Sequence, residues 1–149
     1  MKQVKIYTDG ACSGNGFKDA VAGWAFVVTE GTQSLAHGLG RIENGTNNIG
    51  EMTAIIEALK YVLEHEADLI NVELYSDSSY CINGILTWRH SWKQHNWTRK
   101  GKELKNAELW KEIDNLINTI NCPIEFHHIA GHSGHYWNEY VDRMAKNEI

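Results

Sequence analysis

Two stretches of the chain share one ending. "IYTDG" (Ile6 to Gly10) and "LYSDS" (Leu74 to Ser78) each run aliphatic residue, tyrosine, small hydroxyl residue, aspartate. Apolar and polar residues alternate ahead of each, which is the period of a strand. Over residues 2–9, Val4, Ile6 and Thr8 take one face and Lys5, Tyr7 and Asp9 the other. Between the two stretches the period changes. From Asn48 to about His65, Met52, Ile55, Ile56, Leu59 and Leu63 recur at helical spacing. Strands linked through a helix are usually parallel, and sites tend to form at their carboxyl ends. If the two strands are neighbours, Asp9 and Asp77 converge at one edge of the sheet. If they are not, "DG" and "DS" simply open turns, for which both are well suited.

The other segments fit around this pair. "AGWAFVVTE" (22–30) and "SLAHGLGRI" (34–42) read as strands joined by a hairpin at Gly31. "NVELYSDS" (71–78) is a further strand and "SYCINGIL" (79–86) a short helix. "NAELWKEIDNLINTI" (106–120) is an amphipathic helix with Leu109, Ile113, Leu116, Ile117 and Ile120 on one side. "PIEFHHIAG" (123–131) is a last strand, and a closing helix starts at about Tyr136. The order β-β-β-α-β-α-α-β-α predicts an α/β fold, a mixed sheet with helices packed on it. At 149 residues, 42% hydrophobic, the chain suits one domain. No apolar run approaches the ~20 residues of a membrane span. The N-terminus reads as the first strand rather than as a signal peptide. Three cysteines without a C-x-x-C pair are expected to be free thiols in a reducing cytoplasm.

Charge is unevenly distributed. The formal net charge is −5, yet residues 88–105 carry six basic residues against the single acid Glu103. One basic patch on an acidic body points to a polyanionic partner. Trp88, Trp92 and Trp97 interleave with Arg89, Lys93 and Arg99 in this stretch. Their spacing suggests one helical face packed partly on the core. The stretch has no sustained apolar face of its own.

Asp9 and Asp77, held ~4 Å apart at an effective dielectric near 20, would repel by about 4 kcal/mol. A shared proton or a hard divalent cation with oxygen ligands would offset this. Glu51, in "NNIGEMTAIIEAL", reads as the capping-box partner of an Asn48 N-cap, a position that also holds its carboxylate near the sheet. Asp142 lies on a solvated helix face or near the buried side, among Tyr140, Val141, Met144 and Ala145. "HHIAGHSGH" invites a zinc reading, but His127 and His128 are consecutive in a strand and face opposite sides. No cysteine pair or H-E-x-x-H helix accompanies them. His132 follows a strand between Gly131 and Ser133. It is either an ordinary surface histidine or a proton relay at neutral pH.

Taken together, "YTDGACSGN", "TNNIGEMTAIIEAL", "YSDSSY" and "AGHSGHYWNEYVD" resemble, in order and spacing, the motifs of type 1 ribonuclease H. The resemblance covers essentially the whole chain. It implies one domain over 1–149, built on a mixed five-stranded sheet with helices on both faces. In that sheet three antiparallel strands are followed by two helix-linked parallel ones. It also implies a bacterial-type basic protrusion at 88–105. The family cleaves the RNA strand of RNA/DNA hybrids with two Mg²⁺ ions, for which Mn²⁺ can substitute, leaving 3′-hydroxyl and 5′-phosphate ends. Carried over by motif, Asp9 would bridge both metals, and Asp77 would hold the one carrying the attacking water. Glu51 and Asp142 would complete the other, and His132 would assist proton transfer or product release. Cys12, Gly14, Asn15, Asn47, Asn48 and Ser79 would line the hybrid groove, with Trp88, Arg89, Lys93 and Arg99 against the second strand. A cytoplasmic monomer with no obligatory protein partner is implied. Departures from the family pattern are Ile49 and Gly50 where an arginine is frequent, Ser79 for glutamine, and Ala130 for lysine. The loop after Asn15 also lacks the usual proline and extra glycine. A DNA-directed relative of the same fold and a non-catalytic hybrid-binding module are the rival readings.

Overall fold

The computed structural model describes residues 1–131 and 134–149. Strands β1 (Lys2–Ser13), β2 (Val21–Glu30) and β3 (Gln33–Glu43) come first, then helix α1 (Asn47–His65) and strand β4 (Leu69–Ser76). Helix α2 (Ser79–Asn83) continues through a π-helical turn, Gly84–Trp88, into α3 (Arg89–Gln94). A two-stranded ribbon, β5 (Thr98–Arg99) and β6 (Lys102–Glu103), precedes α4 (Ala107–Thr119), β7 (Ile124–His128) and α5 (Tyr136–Lys146).

The main sheet has the order β3-β2-β1-β4-β7. β1 pairs antiparallel with β2, and β2 with β3, while β1–β4 and β4–β7 are parallel. The expected five-stranded mixed sheet is therefore present, with the two aspartate-bearing strands adjacent at its centre. Helices cover both faces. On one, Val4, Ile6, Phe26 and Val28 pack with Met52, Ile55, Ile56 and Leu59 of α1 and with Trp110 and Ile113 of α4. On the other, Tyr7, Ala25 and Val27 pack against Val141 and Ala145 of α5. Central strands buried on both faces explain why β2 reads as a nearly continuous apolar run.

Four expectations change. β1 does not turn at Asp9-Gly10 but runs on to Ser13, because Gly10–Ser13 pair with Val21–Trp24 of β2. The cap of α1 is Thr46, whose hydroxyl accepts from the Ile49 N–H at 3.2 Å. Asn48 is thus inside the helix and Glu51 is not a capping-box partner. Trp97 lies outside the helix of Trp88 and Trp92, since the chain leaves α3 at Gln94 and Asn96 and Trp97 take positive φ. Arg89, expected to face nucleic acid, is buried at 7% exposure. It sits under α4, where it is bonded to Asp114, while its Nε donates to the Ile85 carbonyl at 3.2 Å.

Candidate active site

The parallel register of β1 and β4 sets Tyr7 opposite Tyr75 and Thr8 opposite Ser76. The tyrosine rings stack with centroids 5.0 Å apart. Two residues on, where β4 has just ended, Asp9 and Asp77 stand side by side. Glu51 reaches them from the second turn of α1. One carboxylate oxygen from each of the three lies within 4.8 Å of the others. Asp142 of α5 lines the same cleft, about 370 Å³ in volume, with Gly10, Asn47, Asn48, Ser78, Ser79 and Tyr80.

Two glycines permit this approach. The Gly10 N–H donates to Glu51 and, at 2.8 Å, to Asp9 Oδ1. A Cβ on Gly10 would overlap the backbone nitrogen of Glu51. A Cβ on Gly50 would lie 2.9 Å from the Gly23 carbonyl oxygen. The departure from the family pattern at Gly50 therefore lets the start of α1 settle directly onto the sheet. Gly131 rests against Asp77 in the same way, a Cβ there lying 3.0 Å from Oδ2. None of these roles is legible in the sequence, where Gly10 looks like a turn residue and Gly50 only like a departure from the family pattern.

The site concentrates negative charge in a dry place. Asp9 is 2% exposed and Glu51 7%. Burial, with the charges of Asp77 and Asp142 adding and a hydrogen bond with Glu51 opposing, pushes the Asp9 carboxyl up to about 7. Burial, with Asp9 and Asp77 alongside, pushes Glu51 well above the usual carboxylate range. Carboxyls raised by burial and by neighbouring acids are candidates for a functional site. Asp9 Oδ2 is buried and, among the described residues, has no hydrogen-bond partner. An orphaned carboxylate oxygen beside two further carboxylates is what a hard divalent cation would satisfy. Asp142 is more open, with its side chain 21% exposed and 3.0 Å from Lys146 Nζ.

The remaining expected residues divide. Asn47, Asn48 and Ser79 are at the cleft. Asn15 is tied to it, its Oδ1 accepting from the Asn47 N–H at 3.1 Å. The Cys12 thiol donates to the Gly45 carbonyl at 3.5 Å, and Gly14 takes positive φ in an exposed loop. His132 falls outside the described residues. Asn48 and Tyr80 also border a second cavity of about 720 Å³, lined by Trp88, Trp92, Arg99, Lys102, Leu104 and Lys105. Trp88 and Arg99 are thus at a surface continuous with the cleft. Lys93 is directed instead at Asp114 Oδ2, 2.8 Å away. In the sequence Lys102 and Lys105, which follow Trp97, stand out only as part of the charge run.

Comparison with known proteins bears on the family and the fold. The family model described as RNase H matches residues 1–149. The ribonuclease H of Wolbachia sp. subsp. Drosophila simulans (strain wRi) is 42% identical over 150 residues, taking in 99% of this chain and 96% of that protein. Among solved structures, LC9-RNase H1, described as a type 1 RNase H with the type 2 active-site motif, superposes with a TM-score of 0.80. It is 28% identical, covering 98% of this chain and 71% of that one. LC11-RNase H1, solved in complex with an RNA/DNA hybrid, has the same fold at a TM-score of 0.70. It is 24% identical, with 97% of each chain covered.

Proposed function

The chain belongs to the ribonuclease H family, and on that premise we propose that it is an endonuclease hydrolysing the RNA strand of RNA/DNA hybrids. The observation that carries this reading is the convergence of Asp9, Glu51, Asp77 and Asp142, from four different elements, on one cleft around an unsatisfied buried carboxylate oxygen.

These four acids would hold two divalent cations, Mg²⁺ or Mn²⁺. When bound, the cations would supply an activated water and stabilise charge on the attacking and leaving oxygens, giving 3′-hydroxyl and 5′-phosphate ends. The chain's own work is positional. Asp9 and Asp77 are fixed by the paired strands, and Glu51 by the Gly10 N–H. Asn47, Asn48 and Ser79 offer short polar groups at the cleft rim, suited to reading a ribose 2′-hydroxyl across a shallow groove. Asn15 stiffens that rim through Asn47, and Cys12 and Gly14 continue it. His132 would move a proton or assist product release. Segment 88–105 acts as a basic protrusion. Arg99, Lys102 and Lys105 meet phosphates of the DNA strand without regard to sequence, and Trp88 offers an exposed ring beside them. Arg89 is not part of this surface, and Lys93 is at most a partial contributor. We read the protein as a cytoplasmic monomer; among the described residues no helix is long and apolar enough to cross a membrane.

The test is incubation with a strand-labelled hybrid beside RNA duplex, DNA duplex and single strands, with Mg²⁺ and with chelator. Metal-dependent cleavage of the hybrid's RNA strand alone is expected. Cleavage of the DNA duplex would overturn the substrate assignment. Tight hybrid binding without cleavage would make the chain a binding module.

A further inference from the structure

Strand β7 carries His127 one residue before His128, and the two point to opposite faces of the sheet. His128 Nε2 lies 3.2 Å from the Asp77 carbonyl oxygen, against the loop that follows β4. His127 has a different neighbourhood. Its ring stacks on Tyr75 at 5.1 Å, extending the Tyr7–Tyr75 stack across a third strand. One step back in the register, Glu73 of β4 stands opposite Glu125 of β7. Nε2 of His127 is 3.8 Å from Glu73 Oε1 and 3.5 Å from Glu125 Oε2. One ligand atom from each of the three falls within 4.8 Å of the others.

Two features set this group apart from an ordinary surface pair of acids. Like charges directly opposite on neighbouring strands are unfavourable. Among the described residues, the one lysine or arginine within ion-pair distance of either acid is Lys5, 4.0 Å from Glu73 and itself half exposed. The third member is an imidazole, and its Nε2 atom is buried and, among the described residues, has no hydrogen-bond partner. An imidazole nitrogen and two carboxylates gathered within 4.8 Å of one another are the ligand set of a borderline divalent cation such as Zn²⁺. Among the described residues, the acids gathered in the cleft, by contrast, offer only carboxylate oxygen.

We propose that Glu73, Glu125 and His127 form a second cation site, for a divalent transition metal with zinc-like preferences, separate from the four-carboxylate cleft. The cation would bridge β4 and β7 across the stacked Tyr75 and replace the carboxylate repulsion with attraction to both strands. The side chains of Glu125 and His127 are 70% and 40% exposed, so the ion can enter from solvent and keep water on its remaining positions. The proposal rests on the sheet register and not on the nuclease reading.

The experiment is Zn²⁺ binding to the full chain by equilibrium dialysis, with Mg²⁺ in saturating excess to occupy the cleft. One Zn²⁺ per chain is expected for wild type. His127→Ala and the Glu73→Gln/Glu125→Gln pair should each weaken it by at least about tenfold, a loss comparable to those seen on disturbing metal shells. His128→Ala should bind as wild type does. In parallel, Zn²⁺ added to wild type should shift the ¹⁵N resonance of His127 Nε2, a readout that does not depend on the folding of any variant. Absence of Zn²⁺ binding to wild type, unchanged binding by His127→Ala, or an unmoved Nε2 resonance would each overturn the proposal.

Discussion

Removing Asp114 should cost more stability than any surface ion pair could account for. Asp114 is 5% exposed, on the face of α4 that packs against α3, and Arg89 is 7% exposed beneath it. The guanidinium is bonded to Asp114 Oδ1, Lys93 Nζ lies 2.8 Å from Oδ2, and Asn118 Nδ2 donates to Oδ2 at 3.2 Å. In Asp114→Ala the arginine stays charged and buried, with only the Ile85 carbonyl left to it. Breaking a buried pair in this way costs about 3–5 kcal/mol. At about 2–4 °C per kcal/mol for a chain of this size, the melting midpoint should fall by about 6–20 °C. Lys93→Ala should cost no more than about 1 kcal/mol, because the deleted ammonium is half exposed and Arg89 still neutralises Asp114. Replacing both partners by Leu or Met should recover much of the loss, since the penalty lies in the orphaned charge. Urea unfolding of the three variants beside wild type decides the matter. A loss below about 1 kcal/mol for Asp114→Ala, or an equal loss for Lys93→Ala, refutes the argument.

The same carboxyl supplies a pH prediction. Burial raises its pKa, but the hydrogen bonds and charges of Lys93 and Arg89 outweigh that and hold it below the usual carboxylate range. A depressed folded pKa gives stability that is present above the unfolded value, near 3.9, and is lost as pH falls through the folded one. The stability gap between wild type and Asp114→Asn should therefore be flat at neutral pH and close below about pH 4.

Three further predictions concern the cleft and its approach. Gly10→Ala should destabilise the fold by about 1–3 kcal/mol through overlap with the Glu51 backbone, and lower kcat as the acids are displaced; urea unfolding with steady-state cleavage checks both. Glu51→Gln should raise the stability of the metal-free protein by about 0.5–2 kcal/mol while abolishing cleavage, since it relieves the crowding of buried acids; thermal unfolding in chelator reads the first effect. Arg99→Ala and Lys105→Ala should each flatten the plot of log affinity for hybrid against log salt by about 0.7–0.9, whereas Lys93→Ala should change it less.

The sheet was legible because its strands alternate and its connecting helix repeats, and the matched tyrosine-aspartate endings marked the two strands that meet. Met52, Ile55, Ile56 and Leu59 are all buried, as their spacing requires. The four acids were legible only as a set, through their resemblance to known motifs. Asp142 alone, on an amphipathic helix, carries no signal of its own. Three features were hidden because they depend on what other elements bring close. Gly10 stays in a strand because β2 pairs with it. Arg89 is drawn inward because α4 places an aspartate there, and a local count of basic residues cannot register that. Trp110 is fully buried with Ile113 and Leu116, whereas Leu109 beside it is only partly buried, a choice between adjacent apolar residues that the spacing alone does not make.

The central claim is that the four-acid cleft is the seat of metal-dependent cleavage. It is tested most directly by Asp9→Asn on a strand-labelled RNA/DNA hybrid in Mg²⁺, with hybrid affinity measured in parallel. The account predicts that cleavage of the RNA strand is abolished while binding stays within a few-fold of wild type. Cleavage at the wild-type rate by that variant would contradict it, and would move the chemistry away from the paired strand ends.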